Sequence, residues 1–254
     1  MKLFYKKSGA GRPLIILHGL FGMSDNWMSL SRQFAENGFL VYAADARNHG
    51  RSPHSAEINY PLMCEDILEL MNNELIEKVS IIGHSMGGKT AMWLACTHPE
   101  RVSKLIVSDM APRFYPPHHE GVIAAIHSVD LEGIHSRKEA EAKLRETLKD
   151  EGTVQFLLKN LYWDEQEKLA WRFNLAGIEK NIDSIGVALP EGFHFDGTTL
   201  FLRGERSGYI NVSDENEIKK HFPNASIQKI PAAGHWIHAE NPEGFMNAAL
   251  AFLK

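Results

Sequence analysis

Short apolar runs alternate with amphipathic stretches through the first 110 residues of the chain. Leu14-Ile15-Ile16-Leu17 is a β-rich run that stops at Gly19. Asp25 to Asn37 then reads as a helix, with Trp27, Leu30 and Phe34 at near-helical spacing and Gly38 closing it. Phe39 to Ala44 is a second run, ending at Asp45. Beyond a polar loop, Tyr60 to Leu75 predicts a helix with Met63, Ile67, Leu70 and Met71 on one face. Val79 to Ile82 makes a third run, followed by a helix from about Met86 to Thr97 and a fourth run at Leu105-Ile106-Val107. Strands that are apolar throughout imply a parallel sheet covered by helices on both faces. The pattern returns near the end: Thr199 to Leu202, a helix from Ser213, Ile227 to Ile230, and a helix from Pro242 to Leu253.

From about Pro112 to Phe195 the strand signals vanish. Ser136 with Glu139 three residues later forms a capping box, and Ala140, Leu144 and Leu148 follow at four-residue intervals. Val154, Leu157, Leu158 and Leu161 suggest another helix. The expected organisation is an α/β core in two pieces, residues 1–111 and 195–254, with residues 112–194 inserted as a helical cap or lid on the sheet.

Composition narrows the class. The 254 residues are 44% hydrophobic and 23% charged, which argues against disorder. The formal charge of −5 carries no dense basic stripe, so no nucleic acid and no membrane surface is expected as partner. No apolar run reaches the roughly 18 residues needed to cross a bilayer. Met1 to Met23 faintly imitates a secretion signal, but His18-Gly19 interrupts it and it lacks a small-residue cleavage site, so it reads as folded structure. The two cysteines, Cys64 and Cys96, fit reduced, buried thiols and a cytoplasmic setting.

The candidate chemistry begins at Gly83-His84-Ser85-Met86-Gly87. This G-x-S-x-G pattern has an apolar strand before it and a helix after it, the context in which a serine hydroxyl is presented on a sharp turn above a sheet. The helix N-terminus behind Ser85 favours developing negative charge. His18-Gly19-Leu20-Phe21-Gly22 follows the first strand and could aim a backbone N–H at an oxyanion, that of Leu20 or of Phe21, with Met86 N–H as the second donor. After the last strand, Pro231 to Trp236 carries His235, placed to take the Ser85 proton and return it to a leaving group. His84 reads as packing or loop support. Neither His118-His119 nor the pair His235 and His238 has acidic or cysteine partners at metal spacing, so no metal and no cofactor is expected.

Together HGLFG, DARNHGRS, GHSMGG and GHW resemble the α/β-hydrolase superfamily over nearly the whole chain. HGLFG, RNHGRS, GHSMGGK and AGHWIHAENP resemble, more narrowly, a branch of small bacterial esterases with mitochondrial counterparts. The resemblance implies an eight-stranded, mostly parallel sheet with a helical cap, and hydrolysis of short-chain acyl esters, with acyl-CoA thioesters as a wider option. The triad acid of the superfamily usually stands in a Gly-x-x-Asp turn after the penultimate strand. Here that turn is Gly204-Glu205-Arg206-Ser207, with serine in place of aspartate. Asp109 lies at the carboxyl end of the fourth run, where functional side chains of parallel sheets gather, and the esterase branch resembles this chain in placing its acid there. Asp109 is therefore the assigned acid and Glu205 its competitor. The turn from Asp45 to Ser52 reads as loop ordering. Phe114, Tyr115, Phe156, Tyr162, Trp163 and Trp171 belong either to an acyl pocket or to the cap's own core.

The expected function is a cofactor-independent serine hydrolase using Ser85, His235 and Asp109, with an oxyanion held by Leu20 and Met86 N–H groups. Its rivals are a perhydrolase or acyltransferase on the same triad, and a binding protein on a retired scaffold. Natural substrate and oligomeric state stay open.

Overall fold

The computed structural model describes residues 1–117 and 119–254, so His118 lies outside the described residues. Its elements run β1 (Tyr5–Gly9), β2 (Arg12–Leu17), α1 (Met28–Glu36), β3 (Phe39–Ala44), α2 (Tyr60–Asn73), β4 (Val79–His84), α3 (Met86–Thr97) and β5 (Val102–Ser108). Then come α4 (Glu120–His127), α5 (Arg137–Thr147), α6 (Glu151–Leu158), β6 (Leu161–Trp163), β7 (Leu169–Trp171), α7 (Leu175–Lys180) and α8 (Ile182–Gly186). The chain closes with β8 (Thr199–Gly204), α9 (Glu215–His221), β9 (Ala225–Ile230), α10 (Ile237–Glu240) and α11 (Pro242–Leu253).

The main sheet has the order β1-β3-β2-β4-β5-β8-β9, parallel throughout except for β1, which runs antiparallel to β3. These are seven strands among the described residues, one fewer than the resemblance implies. The edge strand β1 is short and carries Lys6 and Lys7, a combination that discourages further pairing. Along the inner strands successive side chains point to opposite faces. Ile15, Ile81 and Leu105 pack under α2 and α3, while Leu14, Ile16, Ile82 and Ile106 pack under α1 and α11 with Phe34 and Phe245. Burial on both faces is what makes these strands uniformly apolar.

Elements α4 to α8 interrupt the chain between β5 and β8 and build a third core, where Leu144, Leu157 and Ile178 cluster with Leu20, Phe21 and Met86 from the carboxyl end of the sheet. Ser136 caps α5 as the spacing predicts, its side chain accepting Glu139 N–H at 3.2 Å. The Glu139 carboxylate takes the N–H of His135 and the Ser136 hydroxyl. The antiparallel pair β6 and β7 was not expected, because three residues per strand leave no room for an alternating pattern to show. Two buried bonds tie this region down: Asn160 Nδ2 donates to Phe21 O at 2.8 Å, and the Tyr60 hydroxyl to Ile185 O at 2.5 Å. Among the described residues no helix is long and apolar enough to cross a membrane.

The turn after β3 is ordered by charge. Asp45 accepts the N–H groups of Ser24 and Arg51 at 2.5 and 2.8 Å, and buried Arg47 grips Asp66 through two bonds of 2.7 and 2.8 Å. Removing one partner of such a pair strands the other charge, so Asp66→Ala is expected to lower the unfolding free energy by about 3–5 kcal/mol, read from urea denaturation. In the same turn burial and neighbouring His18 push His49 down to about 3. The unfolded chain binds that proton first, so stability falls as the pH drops below 6.5. His49→Gln should flatten this dependence by up to about 1.4 kcal/mol per pH unit, seen by comparing urea midpoints of both proteins at pH 7.5 and 5.5.

Candidate active site

Between β4 and α3 a single residue makes the turn. Ser85 sits at φ 52° and ψ −117°, a conformation that costs a non-glycine residue on the order of 1–3 kcal/mol. Its neighbours make the turn possible. A Cβ on Gly83 would overlap the carbonyl of Gly87, and a Cβ on Gly87 would overlap the carbonyls of Leu17 and His18. The glycines thus let α3 cross the end of β4 and press against β2. Ser85 N–H donates to Ser108 O at 3.1 Å, extending the β4–β5 ladder into the turn. Met86 opens α3, and N–H groups of a first helical turn have no acceptor within their helix.

His235 lies between β9 and α10, and its Nδ1 is 2.8 Å from Asp109 Oδ2. Asp109 is fully buried just beyond β5, with φ 52°. Its Oδ1 accepts Gly204 N–H at 3.0 Å, and its Oδ2 also accepts the Ser207 hydroxyl. A carboxylate only accepts, so the imidazole proton resides on Nδ1 and Nε2 is left bare. The Tyr209 ring stacks on the other side of this arrangement, 3.7 Å from the His235 ring and 16° from parallel. His84 supports the loop from below, its Nε2–H donating to His235 O at 2.9 Å. Burial, with His235 and His238 nearby, holds the His84 pKa well below its usual range, so it stays neutral. Glu205 is not part of this group. Its exposed carboxylate meets Ala232 N–H at 3.0 Å and Lys229 Nζ at 3.1 Å, which lower its pKa.

The turn at the end of β2 is pinned by His18. Its Nε2 accepts Ala46 N–H at 2.9 Å, so its Nδ1–H donates to Gly19 O at 2.7 Å. That carbonyl also accepts Gly22 N–H at 2.9 Å. Phe21 adopts φ 58°, with its carbonyl held by Asn160. Leu20, Ser85 and His235 all line one cavity of about 170 Å³, roofed by Phe156 and Leu157 of α6. Of the aromatics in residues 112–194, Phe156 lines this cavity and Tyr115 a smaller cleft. Phe114 and Trp163 face solvent, and Trp171 stacks on Phe173.

The structure therefore brings Ser85, His235, Asp109, Leu20 and Met86 to the carboxyl end of the sheet. The hydroxyl of Ser207, the ring of Tyr209 and the imidazole of His18 were not read from the sequence. Ser207 alone had a signal, as the serine where an aspartate was expected.

A family model described as the alpha/beta hydrolase fold matches residues 12–133. The sn-1-specific diacylglycerol lipase ABHD11 of Danio rerio is 39% identical over 254 residues, spanning 97% of this chain and 80% of the relative. Esterase YbfF of Escherichia coli is 35% identical over 242 residues, spanning 95% of this chain and 92% of its own. A solved structure titled marine microorganism esterase superposes with a TM-score of 0.96 at 43% identity, covering 99% of both chains. With its elbow turn, strand order and these likenesses taken together, the chain belongs to the α/β-hydrolase superfamily, within its branch of small esterases.

Proposed function

We propose that this carboxylic ester hydrolase cleaves short-chain acyl esters through an acyl-enzyme on Ser85. The observation that carries the reading is the bond between His235 Nδ1 and buried Asp109, made beside Ser85 in one cavity. His235 Nε2 takes the Ser85 proton as the hydroxyl attacks the acyl carbonyl, then returns it to the leaving oxygen. Asp109 orients the ring and stabilises its cationic form. The N–H groups of Leu20 and Met86 face the oxyanion, each donor worth on the order of 2.7–4 kcal/mol in the transition state. Water deprotonated by His235 then releases the acid. Thioesters of the same short acyl groups fall within this chemistry. The names of the relatives, esterase and diacylglycerol lipase, support the ester class.

Residues 112–194 act in this reading as a lid, since α6 roofs the cavity while α4 to α8 pack on the oxyanion turn. The unpaired thiols of Cys64 and Cys96 suit a cytoplasmic location.

Hydrolysis of p-nitrophenyl esters from acetate to laurate is expected to fall with chain length. Ser85→Ala should abolish it, by about 10⁴-fold or more in kcat. Persistent activity in that variant would overturn the acyl-enzyme. Asp109→Asn is expected to lower kcat by about 10³- to 10⁴-fold, because the ring loses the acceptor that sets its tautomer. Glu205→Gln should stay near wild type, and equal losses in the two variants would remove Asp109 from its role.

A further inference from the structure

Ser85 stands where two spaces meet. One is the cavity of about 170 Å³, which His235 lines. The other is a cleft of about 20 Å³ that also reaches Ser85 and Leu20 but not His235. The cleft wall is built from Met110, Tyr115, Pro116, Ile182, Ile185 and the Tyr209 ring. Resting on the acyl-enzyme reading above, the chemistry tells the two spaces apart. The leaving oxygen must lie within reach of His235 to receive its proton, so the alcohol occupies the space that His235 lines. The acyl chain takes the remaining direction, past Leu20 into the narrow cleft.

The far wall of the alcohol cavity is polar in an unusual way. His238 is 8% exposed, and that exposure opens on the cavity it lines. Its ring is clamped between Trp27, stacked at 4.1 Å, and His84 at 4.8 Å. Among the described residues Nδ1 is sealed in the protein with no hydrogen-bond partner, and none of the described residues bonds Nε2. Orphaned N–H groups are rarer than under-used acceptors, which puts the proton of this neutral ring on Nε2, facing the cavity. Asn26, beside Trp27, spends its Oδ1 on Met23 N–H at 2.8 Å, leaving its amide N–H groups to the cavity it lines. Thr153 Oγ1 donates to Asp150 at 2.7 Å, so its lone pairs remain as acceptors on the same cavity.

We infer that the enzyme's substrates join a small acyl group to a larger, hydroxylated alcohol, with His238 and Asn26 donating to the alcohol's oxygens and the cleft by Ile185 limiting the acyl chain. The test compares two butanoate esters, that of glycerol at one terminal hydroxyl and that of propan-1-ol, by their relative kcat/KM. An acetate-to-octanoate series on one fixed alcohol accompanies it. Wild type should prefer the diol ester. His238→Phe keeps the stack on Trp27 but removes the donor, and should lower the diol-to-propyl ratio by about fivefold to tenfold. Using the ratio cancels any general loss passed through His84. Ile185→Ala should raise octanoate relative to acetate and leave the diol ratio alone.

A wild-type ratio of one or less, or a ratio unmoved by His238→Phe, would overturn the polar alcohol site. A diol ratio moved by Ile185→Ala in place of the acyl profile would reverse the two spaces and overturn the assignment. Should His238→Phe not fold, the wild-type acyl-enzyme serves instead. With p-nitrophenyl butanoate as donor, glycerol should capture the butanoyl group from Ser85 more often than equimolar propan-1-ol, passing its proton to His235. Equal capture would overturn the proposal. Hydrolysis surviving in Ser85→Ala is a separate failure, of the acyl-enzyme reading and this inference with it.

Discussion

A carboxylate buried away from water must be surrounded by donors, and at Asp109 three donors come from two distant segments of the chain. Gly204 N–H arrives at the end of β8, the Ser207 hydroxyl from the turn beyond it, and His235 from the loop after β9. Gly204 reaches Asp109 only because β8 pairs with β5 in the register Leu105 to Thr199 and Ser108 to Leu202. Asp109 N–H itself continues that ladder by donating to Leu202 O at 2.8 Å. The residues between β5 and β8 must therefore leave the sheet and return to an adjacent position, and the insertion that covers the site is the result.

The carboxylate just beyond β5 and the one in the turn after β8 do separate jobs. Asp109 holds the imidazole, while Glu205 holds Ala232, a residue at φ 53° in the loop that carries His235. Ser207 stands where an aspartate was expected and contributes a hydroxyl to the Asp109 carboxylate. The backbone pays for this arrangement in strain at the carboxyl ends of the strands: Phe21 after β2, Ser85 after β4 and Asp109 after β5 all have positive φ. Each is held by bonds from a neighbouring element, as strained positions require.

The central strands were legible because burial on both faces writes itself as a continuous apolar run, and the predicted bounds of β3, α3 and α11 coincide with those observed. Edge and short elements carry no such mark. β1 holds two adjacent lysines and no fully buried residue, and β6 and β7 are three residues each. In the site, Ser85 was readable from its glycines and His235 from its place after the last strand. Which of Asp109 and Glu205 bonds His235 needed three dimensions, since both follow a parallel strand and only their partners distinguish them. His84 was readable as loop support, but its target, the His235 carbonyl, and the Ala46 N–H that His18 accepts were illegible for a similar reason: a side chain's partner on a distant loop leaves no local pattern.

Thirteen histidines blur the identity of the base, but four of those lining the cavity have distinct environments. His18, His84 and His238 crowd the same cavity as His235, and burial lowers the pKa of all three, His238 to about 3. None of the three is bonded to a carboxylate, so protonation would leave an uncompensated charge in a dry site. Rings in that state serve as fixed hydrogen-bond partners for backbone turns and for ligand oxygens. His235 alone of the four pairs with a carboxylate, through its Nδ1 and Asp109 Oδ2. Position after the last strand brings His235 to the site, and its bond to the buried carboxylate of Asp109 is what sets it apart from its neighbours and supports its proposed role as the base.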